Sequence, residues 1–112
     1  MIYFLVAVNV VLLVSGQILW KIGIENADGL KEVIMSLFSP YVILGIILYG
    51  IATVIWLYVL SKGKFSIVYP LQSTAYILGV FAAWLIFKEY IPFTRWIGIA
   101  FIFIGIFFIT MD

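Results

Sequence analysis

Charge is confined almost entirely to the joints of this chain, and that confinement narrows the folds open to it. Cut at its charged residues, the sequence yields four apolar runs at about residues 2–23, 40–60, 65–87 and 94–111; every charged residue except Lys21 lies between runs or at the end of one. A membrane helix needs roughly 20 mainly apolar residues rising about 1.5 Å each, so the runs are of crossing length. The fourth is the shortest, and Arg95 at its start must snorkel to the head groups. Composition agrees: 67% of the 112 residues are hydrophobic and 10% charged, against roughly 45–50% and about 25% in a soluble domain. The expected fold is all-α, a polytopic membrane protein of four transmembrane helices in a single domain over residues 1–112.

A secretory signal peptide opens on basic residues and ends at a small-residue cleavage site. Residues 1–20 are uncharged, so the first run is read as a retained membrane helix. The segment ENADGLKE, Glu25 to Glu32, is rich in charge and in turn-forming Asn, Asp and Gly, and forms the longest aqueous connection. Residues 33–38 suit a short interfacial helix, and Pro40 suits the first turn of the second span. SKGK, Ser61 to Lys64, reads as a tight polar turn, and KEYIPFTR, Lys88 to Arg95, as the third connection. Tyr3, Trp20, Tyr41, Tyr90 and Trp96 stand near span ends, as an aromatic belt requires. Lys21, Lys31, Lys88 and Arg95 flank one side of the bundle, Lys62 and Lys64 the other. The positive-inside rule then puts both termini outside the cytoplasm.

With no cysteine and no histidine, disulfide frameworks, thiolate metal sites and the usual proton shuttle are ruled out. No paired acids or phosphate loop suggest an enzyme, and no metal or cofactor is expected. A net charge of +1 leaves nucleic-acid binding without a footprint.

The polar residues inside the spans carry what functional signal there is. At about 100° per residue, Asn9, Leu13, Gly16, Gln17, Trp20 and Lys21 share an arc of about 140° on the first helix. Gly16 and Ser15 permit close backbone approach, and Asn9 and Gln17 can hydrogen-bond across helices. Two readings fit, a helix–helix seam or the wall of a polar cavity with Lys21 at its mouth. In the third span Pro70 removes a backbone donor and predicts a kink. Tyr69, Gln72, Ser73 and Tyr76 around it read as a substrate wall, with a purely structural kink as the alternative. Glu89 stands just after the third span, next to Lys88 at the membrane surface, where an ion pair or plain solvation is its default role. Basic groups at the helix ends (Lys21, Lys62, Lys64, Lys88, Arg95) suit an interfacial anion such as a phosphate whose apolar tail stays in lipid. Gly98 and Gly105, seven residues apart on one face of the fourth span, let two helices pack closely and are the expected dimer interface.

The stretch SGQILWK with Gly16, Gln17 and Lys21, the segment WLYVL followed by a short turn and the IVYP of Ile67 to Pro70, and KEYIPFTRWIGIAFIFIGIFFI together resemble the drug/metabolite transporter superfamily in its four-helix, small-multidrug-resistance-like branch. Within it the chain is most similar to the small subunits of the aminoarabinose–phosphoundecaprenol flippase, over all but residues 25–39. The resemblance implies a flippase of the inner membrane that moves a polyprenyl-phosphate-linked sugar, paired with an identical chain or a similar small subunit. Against the multidrug exporters of that fold, their first-helix glutamate falls on Leu13 and their third-helix tryptophan on Gln72. Against the flippase subunits, Lys64 stands where a proline is common. A small multidrug or metabolite exporter and a non-transporting accessory subunit are the alternative readings.

Overall fold

The computed structural model of the protein describes residues 1–111. In chain order the helices are α1 (Ile2–Ile24), α2 (Leu30–Met35), α3 (Pro40–Lys62), α4 (Phe65–Leu71), α5 (Thr74–Leu85) and α6 (Phe93–Thr110), with a 3-10 turn over Ser36–Phe38. Four segments are long and apolar enough to cross a membrane: α1, α3, α4 continued by α5, and α6. The protein measures 47 × 36 × 20 Å, so in its thinnest direction it is only about two helices deep, a helix with side chains being about 10 Å across. Large apolar side chains such as Phe4, Val54, Phe101 and Phe103 therefore face outward. In lipid this carries no penalty, because acyl chains are as apolar as leucine.

The ends of the elements follow from local sequence. Ser39 caps α3 by accepting from the Tyr41 N–H at 3.3 Å, with Pro40 in the first turn. Gly63 closes the same helix, its N–H donating to Val59 O at 2.8 Å. A Cβ there would stand 2.6 Å from Val68 Cγ1, and that closeness lets α4 restart after only Gly63 and Lys64. The first connection folds further back than residues 33–38: α2 begins at Leu30.

Pro70 has no N–H to give to the preceding turn, and the third span breaks just beyond it. The N–H groups of Gln72, Ser73, Ala75 and Tyr76 donate three residues back, to Tyr69, Pro70, Gln72 and Ser73 carbonyls, at 2.9–3.1 Å. The Thr74 hydroxyl adds a bond to Leu71 O at 2.9 Å. The expected kink is thus a short 3-10 passage, which keeps these amides paired where no water is available.

Packing is densest between α1 and α3. There Gly16 and Gly45 face each other: a Cβ on Gly45 would lie 2.8 Å from Gly16 O and 2.6 Å from Trp20 Nε1. Trp20 donates its indole N–H to Val42 O at 3.1 Å and stacks on Tyr49 at 5.1 Å, which makes it a lock between helices more than a belt residue. A small core of Val6, Val10, Val59, Val68 and Leu71 joins α1, α3 and α4. The fourth span attaches by rings: Trp96 of α6 meets Phe81 and Trp84 of α5 at 5.4 and 5.5 Å.

Gly45→Ala should therefore lower the unfolding free energy in bilayer or micelle by roughly 1–3 kcal/mol, the usual effect of overpacking. Gly50→Ala should leave it unchanged, since nothing lies within 4 Å of a Cβ there. Equal behaviour of the two variants in reversible denaturation would refute the close-approach account.

Candidate functional site

The polar arc of α1 divides between two neighbours. Its Gly16, Asn9 and Trp20 edge is spent on α3. Its Leu13, Gln17 and Lys21 edge faces a cavity of about 530 Å³, bounded across by Tyr76, Gly79 and Val80 of α5 and closed at one end by Phe87, Glu89, Ile91 and Arg95 of the α5–α6 region. The space exists because α5 presents small residues there. Ala75, Gly79, Ala82 and Ala83 all line it, at the i, i+4, i+7, i+8 spacing of one helix face. That spacing was a readable signal, and the sequence reading passes over it.

A second cavity of about 190 Å³ lies deeper, lined by Asn9, Leu13, Tyr49, Ala52, Thr53, Trp56 and Gln72. At its floor Asn9 is fully buried and sits in a hydrogen-bonded relay. Its Nδ2 donates to Ala52 O at 2.6 Å, and its Oδ1 accepts from Gln72 Nε2 at 3.2 Å. Helices α1 and α3 and the break in the third span meet at this one side chain. Of the lining residues Leu13 alone borders both cavities, so an isobutyl group separates a charged vestibule from a neutral amide chamber.

The vestibule gathers Gln17, Lys21, Tyr76, Glu89 and Arg95, and the chamber holds Asn9 and Gln72. The other sequence candidates stand apart from both. Tyr69 is exposed and stacks on Phe65 at 4.9 Å. Ser73 lies in the helix break. Lys62 and Lys64 are exposed at the opposite end of the bundle. Lys88 is next to the vestibule, with φ 56, a left-handed backbone that costs a non-glycine residue roughly 1–2 kcal/mol. Beyond it the Glu89 N–H donates back to Ala83 O at 3.0 Å. Added Cβ atoms at Gly98 and Gly105 would meet nothing within 4 Å, so this stripe is open to the outside. Among the described residues no group of three or more His, Cys, Asp or Glu could hold a metal ion.

Four membrane-length helices with a cavity between α1, α5 and the start of α6 make the architecture of a small polytopic transporter. The chain matches the EamA-like transporter family over residues 1–111 and belongs to it. Among curated proteins it is 31% identical over 93 residues to the "Probable 4-amino-4-deoxy-L-arabinose-phosphoundecaprenol flippase subunit ArnE" of Pseudomonas savastanoi pv. phaseolicola, covering 82% of each chain. It is 33% identical to the protein of the same name from Aeromonas salmonicida, over 62% of this chain and 61% of that one. To that of Salmonella paratyphi B it is 40% identical, over 56% and 57%. No solved structure matches. The protein is accordingly a multi-pass protein of the bacterial inner membrane.

The amide relay makes a quantitative expectation. In a double-mutant cycle of Asn9→Ala and Gln72→Ala, the coupling should be about 0.6–2 kcal/mol, the range for polar pairs between membrane helices. Strict additivity would mean that the two amides do not meet.

Proposed function

We propose that the protein is a subunit of a flippase that carries a polyprenyl-phosphate-linked sugar, or a similar anionic lipid head group, across the inner membrane, acting as a carrier and not as an enzyme. The observation that carries this reading is the vestibule itself, with Lys21 and Arg95 at its interfacial end and a leucine at its inner end. Two cations facing one cavity attract a phosphate. A drug cation finds no acid at Leu13 to hold it. The relatives' names, which pair an arabinose with a phosphoundecaprenol, support the same substrate class.

In this reading the phosphate engages Lys21 and Arg95 near the surface while the polyprenyl chain stays in lipid beside the thin helical layer. The sugar hydroxyls exchange water for Gln17 and then for Asn9 and Gln72. Each polar group left unpaired in hydrocarbon would cost several kcal/mol, so a sequence of amides lowers the barrier stepwise. Lys62 and Lys64 at the far end offer the phosphate its next site. A slab about two helices thick gives a head group too little wall, which favours pairing with a second copy or a similar small subunit. The open Gly98 and Gly105 stripe of α6, a helix with no buried residue, is the surface we assign to that pairing.

Proteoliposomes of the full chain, alone and with any copurifying subunit, test transport directly. Lys21→Ala and Gln17→Leu should slow the flipping of a polyprenyl-phosphate sugar by roughly tenfold without lowering insertion. Leu13→Glu should slow it through repulsion of the phosphate. Proton-coupled movement of quaternary ammonium ions, with polyprenyl phosphates ignored, would overturn the proposal.

Replacing Gly98 and Gly105 together by leucine should reduce cross-linked pairs in lipid. Undiminished pairing would remove α6 from the interface.

A further inference from the structure

The vestibule that faces an anion contains a carboxylate, and the proposed substrate class by itself gives that group no task. Glu89 lines the same cavity as Lys21 and Arg95. A plain sugar phosphate entering there would meet two favourable charges and one unfavourable one. Glu89 is exposed at the rim of the cavity, so water weakens its repulsion of the phosphate, but nothing on a plain anion turns that contact favourable. A head group with a positive charge near its phosphate changes the sign of that contribution. Each of its charges then meets an opposite one.

The backbone beside Glu89 points the same way. Lys88 adopts the left-handed conformation at φ 56, where glycine is the ordinary choice. The Glu89 N–H is tied back to Ala83 O at 3.0 Å, and Ala83 itself lines the cavity. A chain held in a sparsely populated conformation beside a ligand cavity is where backbone strain tends to collect. Here it turns Glu89 toward the cavity that Lys21 and Arg95 line. The volume of about 530 Å³ lies within the roughly 300–1,000 Å³ of small-ligand sites, which leaves room for a sugar between the charges.

We infer that Glu89 is a specificity-determining residue, whose carboxylate binds a cationic substituent on the sugar so that the cavity selects zwitterionic head groups over plain anions. The inference rests on the flippase reading above and names which member of that substrate class the site prefers. An amine on the sugar, as in the names of the relatives, is a substituent of this kind.

The test compares two lipids that differ at one atom position: a polyprenyl phosphate bearing 4-amino-4-deoxyarabinose and the same lipid bearing arabinose. Both are assayed in phosphatidylethanolamine–phosphatidylglycerol proteoliposomes of the full chain with any copurifying subunit. Wild type should favour the amino lipid. Glu89→Gln should reduce the ratio of the two rates by roughly tenfold or more, the worth of one charge-assisted hydrogen bond. Lys21→Ala should slow both lipids and leave that ratio within about threefold of wild type. Glu89→Asp, which keeps the charge, should retain the preference and guards against a folding defect in the glutamine variant. If Glu89→Gln slows both lipids equally, or neither, the inference is wrong while the flippase reading stands. If wild type moves neither lipid, the flippase reading fails and the inference fails with it.

Discussion

The approach of α1 to α3 at Gly16 and Gly45 sets the positions of most other groups. Two helices whose carbonyls and α-carbons nearly touch have no freedom to slide, and the antiparallel register is fixed there. Asn9 lies seven residues before Gly16, and Ala52 seven after Gly45, two helical turns along each partner in the same direction. The contact at the glycines therefore delivers the Asn9 amide to the Ala52 carbonyl. Trp20 grips Val42 O on the other side of the glycines, so the seam is pinned at both ends. Once α1 is held this way, its remaining polar edge faces α5, and the vestibule follows from the small residues it meets there.

Charge is distributed along that edge in a graded way. The interfacial end has ammonium, guanidinium and carboxylate groups, the middle has the neutral amide of Gln17, and the inner end has Leu13. Beyond Leu13 the amides of Asn9 and Gln72 are paired with each other. Ionised groups stay where water can reach them, and neutral dipoles occupy the depth where an unpaired charge would be hardest to keep. The same gradient that makes the protein tolerable to the bilayer is the one that would strip and rehydrate a head group in stages.

Much of this is readable in the sequence, and the unreadable part has physical causes. Four membrane helices follow from the placement of charge, because a bilayer tolerates few exceptions to it. Gly16 and its polar neighbours are visible as an arc because one helix suffices to define it. Gly45 is not, since its importance depends on which residue of another helix lies opposite, and a single sequence does not state register. The left-handed turn at Lys88 is equally hidden: a lysine there conceals a conformation that a glycine would have announced. Glu89 stands beside it in the sequence as a surface acid, and only the turn brings it to the cavity.

The group Tyr69, Gln72, Ser73 and Tyr76 shows a subtler effect. A wheel drawn through the third span assumes a constant angle per residue, yet the 3-10 passage after Pro70 advances about 20° more per residue than an α-helix does. Over Gln72 and Ser73, the two residues between α4 and α5, that accumulates to about 40°, so α4 and α5 are two helices out of phase, joined end to end. Tyr69 belongs to the first phase and stacks on Phe65, while Tyr76 belongs to the second and lines the vestibule from its exposed rim. One proline thus acts as an angular offset in the span: it decides which faces of its two halves look inward, and a substitution that restored continuous α-geometry would rotate one half of the wall away from the other.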